Sequence, residues 1–446
     1  MSTEGKAECL RAVVKLLVEA SEVVINEWEK EEQEPNSKTT GLPSHELHNA
    51  RRTALGAIGA YRELVVDPSA HLMEITLQFF ESRALHIATE VRIADILDEG
   101  DHNNAGVHID EISRRTGIKS HKAARILRLL CTSHVFREVS YDYFANNSVS
   151  QTLVGNGTLR AFILTMAWSI YTASDKLPEV LMDPVKTQSE SALESAFQAA
   201  HNTKLHFWEW FEEPLKQLDG TTQPKRELAA FGLGMVGGGR ALGVPLYFDY
   251  PWQELDPSAT VVDVGGGVEL SKVHPNLNFI IQDRPAVIKQ AETIWQRDAP
   301  DALKNKRTTL QVHDFFTEQP VKNAEVYHMR YIMHDWPDEE CIKILTSIRP
   351  ALGPKSRILI SDSVMLPTCP QSTPSFAPAP APLLANYGIA SRYNHMRDLN
   401  MLTLLNGRER NPEEWRDLAK RAGLRVEKIW ETRSVVWIIE MRKEGT

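Results

Sequence analysis

Beyond Pro257 short β-branched runs alternate with stretches of helical apolar spacing. The runs are Thr260 to Val264, Phe279 to Gln282, Thr309 to Val312, Val326 to Met329, Arg357 to Ser361 and Val435 to Ile439. Strands joined through helices pair in parallel, and the helices fold back over both faces, so each strand reads as a near-continuous apolar run. The pattern predicts an α/β fold over 246–446, a Rossmann-like doubly wound sheet with ligands at the carboxyl ends of its strands. At 446 residues the chain exceeds what one hydrophobic core usually organises, so a second region is expected upstream.

That upstream part reads as mainly helical. Over 1–68, Leu10, Val13, Val14, Leu17 and Val18 recur at helical steps, and the polar segment from Glu31 to Pro43 reads as a loop, which predicts a helical extension. Over 69–245 a second domain is expected, opening on a core-facing helix marked by Leu77, Phe80, Ala84, Ile87, Ala88, Val91 and Ala94. Ile109 and Ile112, a turn at Gly117, a helix through Ala124, Ile126, Leu127, Leu129 and Leu130, and a β-like run from Val135 to Phe144 outline a winged helix. Its Lys119, Lys122, Arg125 and Arg128 are compatible with a DNA-binding regulator. A net charge of −9, and no basic and aromatic surface continuing from that helix, favour a scaffold or dimerisation module, so nucleic acid is not expected as a partner.

No run of about 18 apolar residues offers a membrane span, so a membrane partner is not expected either. The opening lacks the pattern of a secretory signal, and Cys9, Cys131, Cys341 and Cys369 are too scattered for a disulfide framework or a zinc site. An intracellular, cytoplasmic protein with reduced thiols is the expectation. The glycine run from Gly232 to Gly239 follows no predicted strand and is not read as a phosphate loop, whereas Pro367 to Pro382 reads as a long surface loop.

Chemistry collects at successive strand ends. The first strand runs VVDVGGG into Gly265 and Gly266, where backbone without side chains can approach a ligand. The second ends in Asp283, placed to accept from ribose hydroxyls, and the third is followed by Asp314 and Phe315, a carboxylate for an adenine amino group and a ring for its face. Glu269 stands where a pyrophosphate would be repelled, so a nucleoside without phosphate fits better than a dinucleotide. The cationic sulfonium of S-adenosyl-L-methionine tolerates such a carboxylate. The fourth strand runs into Tyr331-Ile-Met-His-Asp-Trp-Pro, and Pro337 followed by three acids suits the first turn of a helix, which leaves His334 in the loop at the same edge. Histidine is suited to taking a proton from a phenol near neutral pH.

These residues resemble the plant and fungal class I O-methyltransferases of the caffeate and polyketide type. The likeness spans roughly 226–442 in the motifs VVDVGGG, FIIQDRP, HDFF, YIMHDWPDEECIKIL, RILISDSVMLP, DLNMLTLLNGRER and EEWRDLAKRAGL, and the winged-helix outline resembles that family's dimerisation domain. The resemblance implies methyl transfer from S-adenosyl-L-methionine to a hydroxyl of an aromatic or polyketide-like secondary metabolite, without a metal, in a homodimer. His334 would be the general base, flanked by Glu409 and, in place of a usual glutamate, Asp362. Gly265, Asp283, Asp314, Phe315 and Arg330 would contact the cofactor, and Met166, Trp168 and Met401 are candidate substrate-lining residues. One departure stands out: the chain reaches His274-Pro275 roughly five residues early after the glycines, more than one helical turn. That shortening keeps open an alternative, a methyltransferase-fold protein that no longer methylates, pericyclase-like or inactive.

Overall fold

A computed structural model describes residues 2–33, 41–217, 219–265, 269–371 and 376–445, which form two compact units. One comprises Met1–Val65, Gln188–Ser195 and Leu242–Thr446, the other Val66–Thr187 and Ala196–Ala241.

The first unit is built on a seven-stranded sheet. Its strands are β1 (Thr260–Val264), β2 (Asn278–Asp283), β3 (Thr308–Val312), β4 (Val326–Arg330), β5 (Arg357–Asp362), β6 (Leu424–Trp430) and β7 (Trp437–Lys443). They lie in the order β6-β7-β5-β4-β1-β2-β3. The pairs from β3 to β5 are parallel, whereas β7 runs antiparallel between β5 and β6. The sheet is therefore mostly rather than wholly parallel, and β6 is a strand that the apolar pattern did not reveal. Alternation sends Val262 and Val264 to one core with Tyr327, Ile360 and Trp415, and Val261 to the other with Phe279, Leu359, Trp252 and Trp295. On the second face a buried polar row ties three strands, since the ring nitrogens of His328 lie 3.0 Å from Asp263 Oδ1 and 2.9 Å from Ser361 Oγ.

The helical pair Thr3–Gln33 and His45–Val65, expected as a separate extension, belongs to this unit. Val13 and Ala57 pack with Ala379 and Leu383, burying the end of the proline-rich stretch that reads in sequence as surface loop. Gly56 permits the contact, because a Cβ there would stand 3.0 Å from the Tyr387 carbonyl oxygen. Arg433 adds an ion pair with Asp249 and donates to the Pro43 carbonyl at 2.6 Å.

The second unit carries the winged-helix outline. Helix Ile109–Thr116 ends at Gly117 in the left-handed region (φ +75°), followed by helix Ser120–Thr132 and the antiparallel strands Phe136–Ser140 and Tyr143–Asn146. Arg128, one of its four candidate DNA-contacting cations, is committed to Glu138 and Asp142. The expected opening helix is three, Pro68–Leu77, Phe79–Glu90 and Ile93–Gly100; Ala84, Ala88 and Ala94 are buried, but Leu77 and Phe80 are exposed rather than core-facing. The glycine run lies in helix Arg226–Leu242, where a Cβ on Gly237 would stand 2.4 Å from the Thr158 carbonyl oxygen; these glycines serve close helix approach.

Candidate active site

The edge of the sheet where β1 to β5 end collects the polar residues singled out in the sequence. After β4 the chain turns sharply through Tyr331, whose φ of +56° is unusual for a bulky residue, and one short turn at Met333–Asp335 carries His334. Pro337 occupies the N-cap position of helix Asp338–Ile348, and Asp338, Glu339 and Glu340 fill its first turn as expected. His334 is 3% exposed, so its ring nitrogens must be satisfied by protein or by a bound molecule.

Glu409 does this for one nitrogen. Helix Arg392–Leu405 stops at Asn406 in the left-handed region, and the following segment bridges to Val364 beyond β5, with Met365 N–H donating to the Arg410 carbonyl at 3.0 Å. This lays Glu409 against the histidine loop, with Oε1 2.8 Å from His334 Nδ1. The neighbouring Arg408 and Arg410 both pair with Asp338 instead, so Glu409 is not part of a surface ion pair with them. Asp335 Oδ1 lies 3.4 Å from Nε2. Asp362, at the end of β5, makes no hydrogen bond to His334, and both its carboxyl oxygens are buried without a hydrogen-bond partner among the described residues.

Burial and charge oppose one another here. Burial disfavours the imidazolium, but the carboxylates of Glu409, Asp335 and Asp362 outweigh it and push His334 up to about 8. Burial also pushes Asp335 up to about 6 and Asp362 up to about 7. Burial acts upward on Glu409 as well, yet the facing charges of His334 and Arg397 hold it below the usual carboxylate range. Asp335 and Arg397, both in contact with the pair, are the groups that sequence reasoning passed over. Asp335 was visible as the neighbour of His334, whereas a lone arginine in a helix carries no such signal.

Gly407 makes the close approach possible. A Cβ at this position would stand 2.2 Å from the His334 carbonyl oxygen and 3.0 Å from the Asp335 carbonyl carbon, both backbone atoms that cannot swing aside. Gly407→Ala must therefore move the main chain of one segment. It is expected to destabilise by about 1–3 kcal/mol and to lower kcat by about 100-fold, the scale of a misplacement near 1 Å. Comparing kcat and melting temperature with the parent protein checks this; an unchanged kcat would show that the two segments are not held in register by the glycine.

On the nucleoside side, Gly265 follows β1 with φ +74° and donates to the Gln282 carbonyl at 2.9 Å. Gly266 lies outside the described residues. Asp283 closes β2, Arg330 closes β4 and donates to Tyr247 Oη at 3.2 Å, and Asp314 follows β3 with Oδ1 accepting from Phe316 N–H at 3.0 Å. Phe315 packs beside Phe316 and Trp336, with ring centroids 4.9 and 6.1 Å away. The adjacent His313 has a buried Nε2 with no hydrogen-bond partner among the described residues, an atom that a bound base could satisfy. Helix Glu269–Val273 after the glycines has only five residues.

Of the candidate lining residues, Met401 is buried one turn beyond Arg397 on helix Arg392–Leu405. Met166 and Trp168 belong to the other unit, where Trp168 Nε1 donates to Glu90 at 3.1 Å and its ring lies under Arg226 at 3.9 Å.

The fold and this edge define a class I methyltransferase with a helical dimerisation domain ahead of the sheet, and the comparisons with known proteins agree. Residues 251–425 match the O-methyltransferase domain, and residues 73–156 match the O-methyltransferase dimerisation domain. The O-methyltransferase gedA of Aspergillus terreus is 44% identical over 97% of this chain and 96% of its own. The O-methyltransferase tpcA of Aspergillus fumigatus is 41% identical over 99% and 98%. Among solved structures, OxaC superposes with a TM-score of 0.70 at 21% identity over 98% of this chain and all of its own, a likeness of fold. CalO1, described as a methyltransferase in calicheamicin biosynthesis in its SAH-bound form, has a TM-score of 0.64 at 25% identity over 85% and 99%. The chain belongs to the O-methyltransferase family. Among the described residues no helix is long and apolar enough to cross a membrane.

Proposed function

We propose that this enzyme methylates a hydroxyl of an aromatic or polyketide-like secondary metabolite, with S-adenosyl-L-methionine as methyl donor, His334 as general base and no metal. The observation that carries the reading is the buried His334–Glu409 pair at the sheet edge where Asp283 and Asp314 also stand. When bound, S-adenosyl-L-methionine supplies an electrophilic methyl group. Asp283 would hold the ribose hydroxyls, Asp314 the adenine amino group and Phe315 the face of the base, with Gly265 and Arg330 lining the same edge. Glu409 accepts the Nδ1 proton, which leaves the Nε2 lone pair to take the proton of the acceptor hydroxyl. Glu409 and Asp335 then stabilise the imidazolium, and burial keeps that exchange out of bulk water. Met401, one turn beyond Arg397, is assigned to a wall of the acceptor site; Met166 and Trp168 stand as the candidates of the second unit.

The raised affinity of His334 for protons sets a pH signature. With the imidazole pushed up to about 8, its protonated form dominates at neutral pH and cannot accept a proton. kcat/KM should therefore rise about tenfold per pH unit up to near pH 8 and level off above it. The limb should stand at the same pH for acceptors whose hydroxyls differ in acidity; a limb that follows the acceptor, or a flat profile, would exclude histidine as its source. The same shift links to stability: the ion pairs of His334 support the fold fully below its ordinary value near 6.5, and that support fades as pH rises through about 8.

The homodimer is assigned to the second unit, where helix Pro68–Leu77 buries none of its residues and Leu72, Met73 and Phe80 are exposed within or beside the dimerisation match. Calorimetric titration with S-adenosyl-L-methionine and S-adenosylhomocysteine, followed by mass-spectrometric screening of phenolic acceptors for a gained methyl group, tests the whole reading. Cofactor binding with substrate conversion but no methyl gain would instead favour the pericyclase-like alternative, which the five-residue helix after β1 keeps in view.

A further inference from the structure

We propose that Arg397 is a positioning residue for the base: its guanidinium locks Glu409 and Tyr331 around His334, so that the imidazole presents Nε2 to the acceptor. This rests on the reading of His334 as the base. Arg397 lies on helix Arg392–Leu405, and its Nε donates to Glu409 Oε1 at 3.0 Å, the same oxygen that faces His334 Nδ1 at 2.8 Å. Its Nη2 is 3.4 Å from Nδ1.

Two tautomers compete at this point. With the proton on Nε2, Nδ1 would accept from the guanidinium and would face Glu409 with a lone pair. With the proton on Nδ1, both Arg397 and His334 donate to the shared carboxylate oxygen. An ionised carboxylate only accepts, and a 2.8 Å contact to it requires a donor. The second arrangement follows, and Arg397 enforces it by keeping Glu409 ionised and fixed.

A face of the imidazole is covered through the same residue. The guanidinium carbon of Arg397 lies 3.8 Å from the centroid of the Tyr331 ring, and Tyr331 stacks on His334 with centroids 5.5 Å apart and planes 15° from parallel. The left-handed backbone of Tyr331 is unusual for a bulky residue, and it brings the ring into contact with both the cation and the imidazole. The charged groups that bear on His334 are Glu409, Asp335, Asp362 and Arg397, with the Tyr331 hydroxyl on the stacked ring, and Arg397 is the positive one among them. Without it, three carboxylates would act on the imidazole unopposed.

Arg397→Met should lower kcat by about 10–100-fold with little change in acceptor KM, and should move the acidic limb of kcat/KM upward by about one pH unit. Arg397→Lys keeps the charge but not the planar fork, so it should restore the limb while leaving kcat reduced about tenfold. A residue that only supports the fold would lower the amount of active enzyme and leave the limb in place. An unmoved limb with kcat within about twofold of the parent overturns the proposal. Should Arg397→Met fail to fold, nitrogen-15 NMR of histidine-labelled parent enzyme above pH 8 decides the tautomer directly, and a dominant Nε2–H form overturns the proposal as well. Failure of the underlying reading is separate, because it appears as turnover surviving in His334→Ala.

Discussion

His334→Ala is expected to lower kcat for methyl transfer by about 10²–10⁴-fold while the affinity for S-adenosylhomocysteine stays nearly unchanged. The split follows from where the groups stand: Asp283 closes β2 and Asp314 and Phe315 follow β3, whereas His334 sits in the loop after β4 and touches Glu409, Asp335 and Tyr331. Alanine also removes the positive partner of buried Glu409, so some loss of stability accompanies it. His334→Gln separates the two effects, since its side-chain amide can still donate to Glu409 but cannot take a phenolic proton at neutral pH. Both variants should therefore be equally slow, with glutamine the more stable of the two. Single-turnover methyl transfer and calorimetric titration of S-adenosylhomocysteine read the two quantities independently. Turnover within tenfold of the parent in either variant would remove the imidazole from its assigned role.

What sequence alone revealed tracks how local each signal is. The end of β4, Pro337 and the three acids after it form one contiguous pattern that dictates a strand, a loop and a helix start, so the placement of His334 was readable. Strand β6 was not, because Leu424 to Trp430 is an edge strand whose middle is exposed and whose register with β7 shifts between Val426 and Lys428. Such a strand lacks the apolar run of a covered one. The place of the first two helices was hidden for a different reason: their apolar stripe is plain, but nothing in it specifies that Ala379 and Leu383 complete it.

The site divides along the same line. Glu409 was legible through its motif, yet its contact with His334 depends on Gly407 lying against the His334 backbone, a relation across more than seventy residues. Arg397 was illegible, since an arginine on a helix ordinarily marks the solvated face. Only when β4, β5 and the segment after helix Arg392–Leu405 converge does that arginine become half-buried among carboxylates and rings. Residues whose role is fixed by one element could be read in order along the chain; residues whose role is a relation among three elements could not.

The largest loss of stability is expected from Arg410→Ala, about 3–5 kcal/mol, the scale of truncating a large, fully buried side chain. Arg410 is fully buried, and its guanidinium donates to Asp338 at 2.8 and 3.0 Å, to the Met333 carbonyl at 2.9 Å and to the Trp336 carbonyl at 2.8 Å. Those two carbonyls bracket His334 in sequence, so one side chain fastens both ends of the loop that holds the base to the segment that holds Glu409. Alanine would leave a cavity, Asp338 with Arg408 as its remaining cation, and the Met333 and Trp336 carbonyls without their guanidinium donor, each keeping the weaker Cys341 thiol. Arg410→Lys keeps a charge near Asp338, but an ammonium cannot reproduce the planar fork that spans the loop, so it should recover only part of the loss. Denaturant midpoints with constant slope would measure the difference. Because the loop is fastened at both ends, kcat should fall in the lysine variant even where the protein remains folded; an arginine that serves stability alone would instead lower the midpoint and leave kcat untouched.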